Sequence, residues 1–175
     1  MSAVRANADP LVGVGAQLFL WFIGTAVITV WYVFRDPRFD YRLLIVGSLL
    51  PDLDVLAGGM RWMHSLFFSV VLLAIAMLAS VGDPPRRKLL LGLPIGTFLH
   101  LVFDGAWATT EVFWWPFTAA SIGDEPLPSV QRGWWNMVLE AIGLVILIWV
   151  WRGAGLAQRS RRRAFARTGR LFELA

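Results

Sequence analysis

The chain contains no cysteine, which excludes disulfide cross-links and thiolate metal sites. Histidine occurs twice in 175 residues, at His64 and His100. Charge is scarce: Asp, Glu, Lys and Arg together make up 16% of the sequence, against about 25% in soluble domains. No internal repeat or low-complexity tract is present, which excludes solenoids and tail-like disorder. What fills the chain is apolar. Hydrophobic residues account for 57% of it, and the mean hydropathy is +0.61. A soluble domain of this length has no use for so much apolar surface.

The apolar residues fall in runs. Residues 11–34 and 65–82 carry no charge, 89–103 is interrupted only by His100, and 133–151 only by Glu140. Runs near twenty residues match a hydrocarbon layer roughly 30 Å thick at about 1.5 Å per helical residue. The first run is too long for a signal-peptide core and reads as a retained span. A shorter stretch at 43–50 stops at Pro51. Started near Pro37, it reaches about 21 Å, and the proline is expected to end it. GDPPRRK at 82–88 reads as a polar turn, and Pro94 as a kink site. The expected fold is all-α: a polytopic transmembrane helical bundle of about five membrane segments, one of them short and broken at Pro51. Residues 1–152 form the transmembrane domain, and 153–175 form a basic tail.

Basic residues set the orientation. Thirteen of the sixteen lie in 35–42, 82–88 and 152–175. Placing these segments in the cytoplasm puts the N-terminus outside and the C-terminus inside a plasma (inner) membrane, as the positive-inside rule asks. Seven arginines between Arg152 and Arg170 read as contacts to anionic lipid headgroups. No aromatic interleaving accompanies them, so nucleic acid is not an expected partner. Trp21, Trp107, Trp114 and Trp134 fall towards the outer side, and Trp31, Trp149 and Trp151 towards the inner one.

On this topology the rare ionisable groups gather at one depth. Asp52 and Asp54 follow the outer end of the second segment, His64 opens the third, and His100 and Asp104 lie in the outer half of the fourth. Ionisable groups at membrane depth are expensive and point to function. His100 and Asp104 are four residues apart and share a helical face. Asp52 and Asp54 alternate in an extended turn and can face one ion. Three carboxylates with two imidazoles need a counter-charge, which a divalent cation supplies more simply than Arg61 or the weaker candidate Arg132. Oxygen and imidazole donors without thiolate suit Zn, Mn or Fe. Glu140, one turn after Asn136 in the last span, is a candidate general base or further ligand. Gln17 is a weaker supporting candidate, and Glu111, Asp124 and Glu125 read as loop acids.

GSLLPDLD (47–54), HS (64–65), HLVFD (100–104) and WPF (115–117) together resemble the family of predicted membrane-bound metal-dependent hydrolases. That family includes a LexA-regulated inner-membrane protein. The order of acid, histidine and HxxxD is also distantly similar to zinc-dependent phospholipase C. The resemblance covers about 47–117. It implies Asp52, Asp54, His64, His100 and Asp104 as metal ligands. The sequence departs from the family pattern where a histidine and an arginine are replaced by Gly59 and Met60, and a threonine by Met63; no histidine stands in the first helix. The expected function is hydrolysis by an ion-activated water, with Asp52 or Glu140 accepting its proton. A phospholipid or lipid-linked phosphoester arriving laterally is the expected substrate. The alternative is a non-catalytic membrane protein that keeps the cluster for structure or partner assembly. A transporter is a third reading, disfavoured by the lack of inverted repeats.

Overall fold

The computed structural model describes residues 18–56, 62–108, 110–118 and 132–172. All regular structure among them is helical. The helices are α1 (Phe19–Phe34), α2 (Tyr41–Leu56), α3 (Leu66–Ala79), α4 (Pro84–Leu90), α5 (Gly92–Asp104), α6 (Thr110–Phe113), α7 (Trp135–Gly153) and α8 (Arg159–Thr168). Short 3₁₀ turns at Trp62–His64 and Ala106–Ala108 flank the site described below.

Glycines set the closest helix approaches. α2 packs along α5, and α1 along α7. A Cβ on Gly47 would fall on the Leu93 carbonyl, and one on Gly96 would fall on the Leu44 carbonyl. Gly143 has the same relation to the Leu20–Trp21 backbone, and Gly24 lies opposite it. Glycines at such contacts let apolar helices approach to backbone distance. The main buried cluster lies at the other end of α1, where Val27, Val30, Tyr41, Leu44, Val150 and Leu171 meet.

Three expectations change. α2 does not break at Pro51 but runs through it to Leu56. Proline removes only its own N–H and crowds the carbonyl four residues back. That residue is Gly47, where α2 lies against α5. Residues 82–88 are not a simple turn: α4 starts at Pro84, where an N–H is not needed. Asp83 Oδ1 accepts from Arg86 N–H at 3.1 Å and caps it. Pro94 lies in the first turn of α5, so it forces no kink.

Among the described residues, α7 alone is long and apolar enough to cross a membrane by itself. The expectation of about five such segments is not met by helix length. α1 and α3 are apolar but span 16 and 14 residues. α3 is cut short by its own caps: Ser65 Oγ accepts from Phe68 N–H at 3.2 Å, and the chain turns at Ser80. α5 is shortened because the apolar run is divided at Leu91 between α4 and α5.

The arginine-rich segment folds back. α8 ends at Gly169, with φ +70°, and the Gly169 carbonyl accepts from Tyr41 N–H at 2.9 Å. The Asp40 carboxylate fills the space where a Cβ would stand, so glycine is required twice over. Phe172 then packs on Trp31, Trp149 and Tyr41.

Candidate metal centre

Three of the five expected ligands come together. One donor atom each from Asp52, His64 and His100 lies within 4.8 Å of the others. All three residues are buried. His100 Nε2 is 4.0 Å from Asp52 Oδ1, beyond hydrogen-bond reach. The two imidazole centroids are 5.3 Å apart. Bonds of about 2.0–2.2 Å to a zinc ion put tetrahedral neighbours ~3.4 Å apart. Small side-chain rotations would therefore bring the three donors to one ion.

The helix through Pro51 decides which acid joins. Residues two apart on a helix point to nearly opposite sides. Asp52 faces the histidines, while Asp54 Oδ2 accepts from Met63 N–H at 3.0 Å. Asp54 thus ties down the turn that presents His64. Ser65 secures the same turn from its far end, where its hydroxyl donates to the Trp62 carbonyl at 2.7 Å and caps α3. The WPF segment buttresses the same corner, with Trp115 and Phe117 edge-on to Phe67.

His100 is oriented from behind. Its Nδ1 lies 2.8 Å from the Ser48 carbonyl, one residue after the Gly47 carbonyl that Pro51 leaves without a helical partner. A carbonyl cannot donate, so Nδ1 carries the proton and Nε2 presents its lone pair to Asp52. Phe22 stacks on the ring at 3.8 Å.

Asp104 and Glu140 also engage other elements. Asp104 Oδ1 pairs with Arg132 Nη2 at 3.0 Å, and the same guanidinium also donates to the Asp104 main-chain carbonyl. Arg132 therefore neutralises the C-terminal end of α5; Arg61 lies outside the described residues. Glu140 reaches across to α1. Its Oε1 accepts from Leu20 N–H at 3.0 Å and Trp21 N–H at 3.2 Å, and its Oε2 also accepts from Leu20. Leu18, at the N-cap position of α1, has no side-chain acceptor to offer. Sequence reading misses this cap because helix-start signals are sought beside the helix, and Glu140 is 120 residues away. Asn136 is buried, Glu111 is exposed, and Gln17, Asp124 and Glu125 lie outside the described residues.

The donor set fits a metal. Asp52 Oδ2 and His100 Nε2 are buried and have no hydrogen-bond partner among the described residues. Such atoms cost free energy unless something else satisfies them. A divalent ion of nitrogen and oxygen preference would satisfy both.

These features define an all-helical protein with a buried carboxylate–imidazole group able to hold a metal ion. The chain belongs to the YdjM inner membrane protein family, which matches residues 21–172 and so takes in the bundle, the Asp–His group and the folded-back tail. No curated protein and no solved structure shows significant similarity to it. Membership places the chain in the inner membrane, in contact with the bilayer.

Proposed function

We propose that this is a multi-pass inner-membrane metalloprotein that holds one divalent ion on Asp52, His64 and His100 and hydrolyses a lipid phosphoester. The carrying observation is the convergence of three buried donors with two atoms left unsatisfied. Three protein ligands are the count of catalytic zinc sites, which keep a fourth position open; closed structural sites use four. When bound, the ion supplies Lewis acidity and activates water at neutral pH. Asp52, through the carboxylate oxygen that the ion leaves free, is the proton acceptor this chain offers there, since the Glu140 oxygens hold the α1 amides. Asp54, Asp104 and the Ser48 carbonyl position the ligands and their helices. The resemblance to membrane-bound metal-dependent hydrolases, and distantly to zinc-dependent phospholipase C, supports the reaction class. Zn, Mn and Fe all suit the donors.

Two observations support a lipid substrate and several spans. Large apolar side chains point outward from α1, α2, α3, α5 and α7, among them Val33, Val46, Leu78, Phe98 and Val145. Bundling five helices lets short ones share the crossing, with tilt and local thinning absorbing the deficit. A cavity of about 480 Å³ opens between α1, α3 and α5, lined by apolar residues apart from Thr29 and Ser69. It includes Leu66, two residues from His64, and Leu99, next to His100. The distribution of basic residues supports an orientation with the N-terminus outside and the arginine-rich tail inside, on anionic headgroups.

The second reading is a non-catalytic membrane protein in which the Asp–His group serves structure or assembly. It is favoured by the engagement of Asp104 with Arg132 and of Glu140 with α1, which leaves a reduced donor set. Elemental analysis of detergent-purified protein, with turnover of a generic phosphodiester, separates the readings. Wild type should carry about one transition metal per chain and a His64→Ala/His100→Ala variant none. Metal with turnover supports the hydrolase, metal without turnover supports the structural reading, and equal negligible metal in both proteins defeats the metal site and leaves the Asp–His group as structure alone.

A further inference from the structure

A second pocket, of about 450 Å³, lies at the opposite end of the bundle from the Asp–His group. It sits beside the start of α2, while Asp52 is near that helix's other end, about 17 Å away by helical rise. Three separate segments build it. Arg38 comes from the α1–α2 connector, Lys88 from α4, and Thr168 and Arg170 from the end of the folded-back tail. Arg38, Lys88 and Arg170 are all exposed, so their charges stay in contact with solvent.

Two carboxylates belong to the neighbourhood, and both are neutralised. Asp40, in the wall, is held by Arg42 at 2.6 Å. Asp36 is paired with Lys88 at 2.7 Å. Among the described residues Arg38 and Arg170 form no ion pair, so the pocket keeps a net positive charge. Thr168 adds a hydroxyl to its lining, and Pro84, Pro85 and Leu89 add apolar surface. Two arginines lining a hollow of this size, with a hydroxyl-bearing threonine in the same lining, suit the oxygens of a phosphate group. The polar edge of an inner-membrane protein meets phospholipid headgroups at just such a place.

We propose that this pocket binds a phosphate group, clamped by Arg38 and Arg170 with Lys88 at its edge. An occupant there would tie the connector, α4 and the tail together, and so brace the packing of Leu171 and Phe172 against the bundle. The proposal rests only on membership of an inner membrane family and is independent of the metal centre.

Thermal unfolding in a neutral detergent tests it, with phosphatidylglycerol, phosphatidylcholine or inorganic phosphate as the added probe. Phosphatidylglycerol should raise the Tm of wild type and of an Arg159→Gln/Arg163→Gln control, which loses the same charge from α8. It should leave Arg38→Gln/Arg170→Gln unshifted, and the shift should shrink as salt is raised. Both pocket arginines are exposed, so the lipid-free Tm should stay at the wild-type value; the single variants carry the comparison if the double does not fold. A wild-type shift with inorganic phosphate, lost in the same variant, assigns the site to the phosphate group alone. A shift with phosphatidylglycerol only assigns it to the lipid-borne group. Equal shifts in the two double variants, equal shifts with phosphatidylcholine, or no shift of wild type with any probe would overturn the proposal.

Discussion

Removing the Glu140 side chain should destabilise the protein by unfastening α1 from α7. The carboxylate accepts from two amides in the first turn of α1, with contacts of 3.0 and 3.2 Å from Leu20 and 3.2 Å from Trp21. No neighbouring residue replaces it, because Leu18 at the cap position has no acceptor. Losing an N-cap costs about 1 kcal/mol, and a hydrogen bond to a charged group contributes about 1.5–3 kcal/mol. These describe one interaction from two sides, so they are not summed. Glu140→Ala is expected to cost about 2–3 kcal/mol. Glu140→Gln keeps an oxygen acceptor but loses the charge that the helix N-terminus favours, and should cost roughly 1 kcal/mol. For a chain of this size, each kcal/mol lowers Tm by about 2–4 °C. The alanine variant should therefore melt about 5–10 °C below wild type in detergent. The same pair of variants separates a cap from a general base. A cap makes alanine worse than glutamine in stability, while a base makes both equally inactive with stability intact. If both variants melt with wild type, the capping argument is wrong.

Gly96→Ala should destabilise by about 1–3 kcal/mol, read as a lower Tm, because the new methyl has only the Leu44 carbonyl and Ser48 amide to displace. Asp104→Asn should cost about 2 kcal/mol by weakening its partly buried pair with Arg132, and should lower metal occupancy only modestly, as Asp52, His64 and His100 form the convergent group. Full loss of metal in Asp104→Asn would instead make it a ligand. Single cysteines at Ser121, outside the described residues, and Ser160 should label in opposite ways with an impermeant thiol reagent on intact cells. Labelling at 121 and protection at 160 is expected; the reverse would put the Asp–His group on the cytoplasmic side.

How much of the fold and site is legible in sequence varies with how local the physics is. Charge-free runs read as helices, because nothing in them offers the chain another structure. The neighbourhood of Asp52, His64 and His100 follows from placing segment ends at a common depth. Pro51 misleads because its cost as a helix breaker is a local rule, and here tertiary packing against α5 overrides it. That single difference turns Asp54 away from Asp52. The roles of Glu140 and Arg132 are hidden for a different reason. Each serves a backbone group far away in the chain, Leu20 in one case and Asp104 in the other. Nothing beside those residues marks the need. The tail reads from its arginines as a basic segment in contact with anionic lipid headgroups. Its docking depends on Leu171, Phe172 and the bare backbone of Gly169, which are too few to show as a pattern.

Pro51 links the helix geometry to the metal chemistry, and replacing it tests that link. At Pro51 the helix lacks an N–H, and the ring crowds the Gly47 carbonyl. Next to that missing hydrogen bond, the Ser48 carbonyl accepts from His100 Nδ1 at 2.8 Å. This contact fixes the tautomer that directs the Nε2 lone pair at Asp52. Pro51→Ala restores the donor to the Gly47 carbonyl and removes the crowding, so the turn should tighten there and shift the adjoining Ser48 carbonyl relative to His100. His100 would then lose its orienting partner. Removing such a partner typically weakens metal binding about 10–100-fold. The expected result is a Tm equal to or above wild type together with metal affinity lower by that factor, measured by competition with a chelator of known affinity. Stability and affinity moving in opposite directions is the signature, since general damage to the fold would lower both. Unchanged metal affinity in a folded Pro51→Ala protein would show that the Ser48–His100 contact does not set the ligand, and that the missing hydrogen bond in α2 serves packing alone.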